Sequence, residues 1–130
     1  MGVRQSIFTL SCVLACATLG CSKGWQLDYG KPSAQFVSKS IAVKGAPFIG
    51  KKITVKGRVV KVDTSNPEAA LIYLENSIQC NLGGFTAMAN GCTVGDVIYV
   101  DGFLARCEEG RIVLEPALIR DPTAPFSPTQ

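Results

Sequence analysis

The side chains able to do chemistry in this sequence are few, and an absent type narrows the choice first. None of the 130 residues is histidine, so the commonest general base, the commonest zinc ligand and the side chain that titrates near neutral pH are all missing. Serine and threonine hydroxyls have no imidazole to activate them, and no Cys-His pair can form. Glu108 and Glu109 are adjacent carboxylates, but they precede Gly110 in what reads as a hairpin turn, where charge is normally hydrated rather than catalytic. Six cysteines stand at positions 12, 16, 21, 80, 92 and 107. The last three lie 12 and 15 positions apart with no Cys-x-x-Cys pair, a pattern that fits zinc poorly. The residues point away from an enzyme and call for no metal and no cofactor.

Cys21 has a different context. One cation, Arg4, is followed by the uncharged run Ile7-Phe-Thr-Leu-Ser-Cys-Val-Leu-Ala-Cys-Ala, which has the length of a signal-peptide apolar region and is too short to span a bilayer comfortably. The run leads into Ala17-Thr18-Leu19-Gly20-Cys21, which resembles the lipobox of bacterial lipoproteins, whose cysteine thiol receives the diacylglyceryl group. Residues 1–20 are therefore read as a cleaved signal, and Cys21 as the lipidated first residue. Cys16, the competing site, would shorten the apolar run and leave residues 17–20 unexplained. Acyl chains contribute about 0.8 kcal/mol per buried CH₂, so Cys21 implies a membrane-anchored protein of the cell envelope, facing the periplasm or the exterior. An ordinary secretory signal cut nearby, giving a soluble secreted protein, is the alternative.

The elements that must position the remaining residues follow. Residues 21–32 are short, polar and Gly-containing and read as a tether; its Trp25 and Tyr29 suit either a membrane interface or packing on the domain. Residues 33–121 form the one domain. Ser33 reads as the N-cap of a helix with apolar positions Phe36, Val37, Ile41 and Ala42, ended by Gly45 and Pro47. Strand-like runs follow at Lys52–Asp63, Ala69–Glu75, Ile78–Leu82, Asp96–Cys107 and Arg111–Arg120. A helical turn or two fits Phe85–Asn90, before Gly91. In the first run Ile53 and Val55 share a face, but after Gly57 the apolar set becomes Val59, Val60 and Val62. This change of phase predicts a bulge or bend near Gly57. A long bent first strand, five strands in all and a helix between the third and fourth predict a mostly β fold, a five-stranded OB-fold barrel with an N-terminal helix. Residues 122–130 are proline-rich and read as a disordered tail.

The sequence is also similar to the bacterial tRNA_anti-like proteins, exported or lipoprotein OB-fold domains of uncharacterised function. The likeness runs from about Ser33 to Asp121 and rests on Gly50-Lys-Lys-Ile-Thr-Val-Lys-Gly-Arg-Val, Ile78-Gln-Cys-Asn-Leu, Val94-Gly-Asp-Val-Ile-Tyr-Val-Asp-Gly and a cysteine soon after that glycine. Ala117 and Leu118 stand where the family shows a further cysteine. By themselves, three thiols outside the cytoplasm suggest one disulfide and one free cysteine, with three pairings open. The resemblance implies the pair Cys80–Cys107; Cys80–Cys92, with only the short helical segment between them, is the alternative.

What remains is binding. OB-folds present their second and third strands and nearby loops to oligonucleotides, oligosaccharides or peptides, and the polar strand positions Lys56, Arg58, Lys61 and Tyr73 form a candidate ligand face. Thirteen Lys and Arg against ten Asp and Glu is too mild a balance to imply nucleic acid, and the aromatic residues are sparse for base stacking. The expected function is that of a membrane-anchored, non-catalytic interaction domain with an envelope protein as partner; an oligosaccharide- or nucleic-acid-binding module is the alternative.

Overall fold

In the computed structural model, residues 31–129 are described; the expected signal, Cys21, Trp25 and Tyr29 lie outside them. The elements are β1 (Ala34–Val37), α1 (Ile41–Lys44), a 3-10 turn (Ala46–Phe48), β2 (Lys52–Asp63), β3 (Leu71–Leu74), β4 (Ile78–Asn81), α2 (Thr86–Asn90), β5 (Val97–Glu108) and β6 (Arg111–Arg120).

β2 is the organising strand. Its first part, Lys52–Arg58, runs antiparallel to Phe103–Val97 of β5, and its second part pairs with β3 from Val59 onward. From there β3 pairs with β4, β4 runs parallel to β6, and β6 returns to β5. The β2–β5 pairing closes this ring of five strands, and α2 falls between its third and fourth members. That connectivity is the OB-fold. Alternation supplies the core: Ile53, Val55 and Val59 of β2, Ile72 and Leu74 of β3, Ile78 and Cys80 of β4, Val100 and Leu104 of β5, and Ile112 and Leu114 of β6 are all buried.

Two expectations are corrected. The helix expected to start at Ser33 is a strand: Ala34 and Phe36 point inward, and β1 lies parallel to β2 with Ala34 opposite Ile53 and Val37 opposite Lys56. Helical structure is confined to Ile41–Lys44. Val37 and Ile41, four apart, would share one helical face, but the β2 edge settles the choice, because its carbonyls take the Ser33 and Ser38 amides at 2.8 and 2.9 Å. Secondly, the proline-rich segment expected to be disordered lies against the barrel: Phe126 meets Tyr99 edge to face at 5.2 Å, and the Thr129 amide donates to the Gln35 carbonyl at 2.6 Å. Both contacts fall on residues that only the folded sheet brings together.

The phase change in β2 is present and has two parts. At Gly57 the strand changes neighbours, and the register shift itself falls between Val59 and Lys61, leaving Val60 49% exposed beside fully buried Val59.

Candidate functional site

The change of neighbours along β2 leaves a notch. On one edge of the strand, the Lys56 carbonyl accepts the Ser38 amide at 2.9 Å, where the β1 backbone leaves the sheet. Two residues on, the Arg58 carbonyl accepts the Glu75 amide at 2.9 Å, where β3 gives way to its turn. Gly57 sits between them with neither strand fully alongside. The opening there is an open groove of about 330 Å³, walled by Val37–Lys39, Lys56–Arg58, Glu75, Asn76 and Val97. The turn forming one wall holds Asn76 at φ 71° and Ser77 at φ 64°, left-handed values that asparagine tolerates better than most residues.

The rim is mainly cationic. Lys39 and Arg58 are exposed and Lys56 half-buried, and Glu75, also exposed, is the one acidic residue of the lining. Arg58 Nη1 donates to the Gly95 carbonyl at 2.6 Å, which ties the guanidinium to the loop before β5. The Lys56 ammonium stands 5.6 Å from the centre of the Tyr99 ring, within cation–π range. The Gly95 amide donates to the Val59 carbonyl and the Val59 amide to the Asp96 carbonyl, both at 2.8 Å. These bonds set residues 95 and 96 beside β2, and exposed Val97, which follows them, lines the groove next to the cationic rim. The set offers ammonium, guanidinium, carboxylate and apolar surface, which suits recognition; it holds no nucleophile with a base beside it.

The face expected from the sequence is thereby divided. Lys56 and Arg58 belong to the groove. Lys61 and Tyr73 are register partners on the other part of β2, with the Lys61 ammonium 5.3 Å from the Tyr73 ring centre. Sequence reasoning missed Val37–Lys39, Glu75, Asn76 and Val97. The Glu75-Asn76-Ser77 turn was visible as a break between two strands, but nothing in the sequence places it next to Lys39.

The three cysteines of the domain are free thiols, so the expected Cys80–Cys107 bond is not formed, and neither is Cys80–Cys92. Cys80 points into the core from β4, opposite Ile72 and Leu114, and is fully buried. Cys107 lies near the far end of β5, and its Sγ donates to the Ile41 carbonyl at 3.3 Å beneath α1. The two are committed to different surroundings. Cys92, just past α2, reaches the Met88 carbonyl at 3.7 Å. Burial pushes all three thiols above the usual range, Cys80 furthest, with Cys92 adding to it. Such thiols are poor nucleophiles and poor metal ligands at neutral pH.

Elsewhere the charged groups do local work. The Asp63 carboxylate accepts the Ser65 hydroxyl and amide, and Asp121 accepts the Thr123 amide and hydroxyl; these bonds hold both below the usual aspartate range. Glu108 pairs with Arg106 at 3.5 Å on the surface. Among the described residues no group of three or more Cys, Asp or Glu could hold a metal ion, and no helix is long and apolar enough to cross a membrane.

Fold and groove together define a small OB-fold domain with a cationic notch at the bend of its first barrel strand. No family model matches the chain, and no curated protein is detectably similar to it. Among solved structures it is similar to a lipoprotein from Klebsiella pneumoniae subsp. pneumoniae MGH 78578, provisionally named as nucleic acid-binding, at 14% identity and a TM-score of 0.45 over 65% of this chain and 82% of that one. It is also similar to part of a provisionally named aspartyl-tRNA synthetase from Leishmania major Friedlin, at 11% identity and a TM-score of 0.48 over 72% of this chain and 21% of that one.

Proposed function

We propose that this protein is a membrane-anchored envelope lipoprotein of the tRNA_anti-like kind, whose OB-fold domain is a non-catalytic interaction module receiving a segment of another envelope protein in the Gly57 groove. The observation that carries this reading is the composition of the groove: Lys39, Lys56 and Arg58 beside Val97 and half-buried Val37, with Glu75 the one acidic residue. Cations next to apolar surface suit a polypeptide that carries acidic and aliphatic side chains. Nucleic acid fits less well, because base stacking needs open aromatic faces. Here Tyr73 and Tyr99 each carry a lysine ammonium within 5.6 Å, and Tyr99 also packs on Phe126.

The test is photocrosslinking in living cells, with a photoreactive residue placed at Lys39 or Val97 and, as a control, at exposed Val43. Lys39 and Val97 should each yield a discrete protease-sensitive adduct that Arg58→Glu abolishes, while Val43 yields none. An adduct removed by nuclease instead would make nucleic acid the ligand. Equal adducts at all three positions would remove the groove as a site.

A further inference from the structure

Next to the Gly57 groove, whose Lys56 ammonium stands 5.6 Å from the Tyr99 ring, β1, β5 and β6 carry the segment that follows β6. The segment leaves the barrel through a turn in which the Ala124 amide donates to the Asp121 carbonyl at 3.1 Å, while the Asp121 carboxylate takes the Thr123 amide and hydroxyl. It then runs as Pro125-Phe126-Ser127-Pro128-Thr129 past Gln35. Gln35 meets it with every polar group it has. Its carbonyl accepts the Thr129 amide at 2.6 Å, its amide donates to Thr129 Oγ1 at 3.2 Å, its Oε1 accepts the Ser127 amide at 2.6 Å and its Nε2 lies 3.5 Å from the Pro125 carbonyl. Arg120 Nη2 donates to the same Pro125 carbonyl at 2.6 Å. Phe126 turns the other way and sets its ring on Tyr99 at 5.2 Å and 69°.

The segment's sequence matches this arrangement. Prolines have no amide hydrogen and hold φ near −65°, so a Pro-x-x-Pro stretch is pre-set in extended form with few donors. Of the three amides left, at Phe126, Ser127 and Thr129, Gln35 takes the last two, which fixes the register. An aromatic ring and a few hydrogen bonds to an extended proline-containing stretch form a recurring mode of peptide recognition. The contact is not a sealed seam: an open groove of about 470 Å³ remains between the segment and residues Lys31–Gln35.

We propose that Gln35, Tyr99 and Arg120 form a docking site for an extended Pro-x-x-Pro peptide of a partner protein, held in this chain by its own residues 125–129. The bound segment is the evidence for the ligand's chemistry. Because it is tethered through one short turn, it competes at an effective concentration of the order of millimolar. Against a free peptide binding at about 0.1 mM, that lowers apparent affinity about tenfold.

The experiment is fluorescence anisotropy with a labelled peptide of residues 124–130, titrated with the full chain in detergent and with the same chain ended at Asp121. The shortened chain should bind the peptide about tenfold more tightly than the full chain. Gln35→Ala or Tyr99→Ala in the shortened chain should weaken binding at least tenfold. Arg58→Ala, in the other groove, should leave it unchanged, and a peptide with its prolines replaced by alanine should not compete. Should the shortened chain fail to fold by circular dichroism, Phe126→Ala in the full chain serves instead and should raise binding of the free peptide. Equal binding by the full chain and the opened forms, or binding indifferent to Gln35→Ala, would overturn the proposal.

Discussion

Gly57 offers the sharpest test of how the bend of β2 is built. A Cβ placed on it would lie 3.1 Å from Leu74 Cδ1, 3.3 Å from Leu74 Cβ and 3.2 Å from Ser38 Cβ. Ordinary carbon contacts begin near 3.5 Å, so both neighbours must give by a few tenths of an ångström. Leu74 is 1% and Ser38 6% exposed, which leaves neither an easy direction to move. Against this crowding, worth about 1–3 kcal/mol, Gly57→Ala gains roughly 0.4–1 kcal/mol by restricting the unfolded chain. The expected net loss is about 1 kcal/mol, which is roughly 4–8 °C in melting temperature for a domain of this size. The assay is denaturant unfolding followed by circular dichroism, run as a double-mutant cycle with Leu74→Ala. Leu74→Ala alone should cost about 2–5 kcal/mol. It also removes the nearest of the three contacts while leaving those to Leu74 Cβ and Ser38 Cβ, so adding Gly57→Ala should then cost less than it does in the native background, a coupling of roughly 0.5–1 kcal/mol. If Gly57→Ala is neutral in the native background, or equally costly in both backgrounds, the close approach of Leu74 and Ser38 is not what requires glycine at the bend.

Three further outcomes are expected. Cys21→Ala should abolish lipid labelling and membrane fractionation while Cys16→Ala leaves both intact; equal labelling of the two variants would remove the lipoprotein reading. In the chain from Ser22 onward, unfolded without reductant, Ellman's reagent should find Cys80, Cys92 and Cys107 all free, and reductant should not move the melting temperature; fewer than three thiols would restore a disulfide. Asp63 and Asp121 have folded-state pKa values below the usual aspartate range, so their contribution to stability is present above about pH 4, the unfolded value, and is lost as pH falls through the lower folded values. Melting temperatures between pH 5 and pH 2 should thus fall less in the Asp63→Asn/Asp121→Asn variant than in the native chain, and an unchanged pH profile would contradict the two turns.

Much of the barrel was legible because its signals are local. β2 and β6 have the bounds that alternation and flanking turns predicted, and α2 falls within one residue of the Ala- and Met-containing stretch before Gly91. The absence of histidine removed the catalytic sets that need an imidazole, and the change of phase after Gly57 was readable as a bend because a strand's side-chain period is two.

What the residues alone left open was set by partners distant in sequence. Whether Ala34–Val37 is helix or strand depends on β2 carbonyls some 20 positions away, since a short apolar spacing satisfies both periods. Lys56 and Arg58 look equivalent to Lys61 along one strand, yet the exchange of β1 for β3 puts the first two in a groove and the third against Tyr73. Three cysteines suggested a bond, but a disulfide needs two Cβ atoms about 4 Å apart, and Cys80 faces the core while Cys107 is turned toward Ile41. The proline-rich segment shows the limit most plainly. Its composition alone favours disorder, and its order comes from Gln35, whose amide and carbonyl are free to bond it because β1 lies at the outer edge of the sheet; a sheet edge is a product of topology, and single-chain composition carries no record of it.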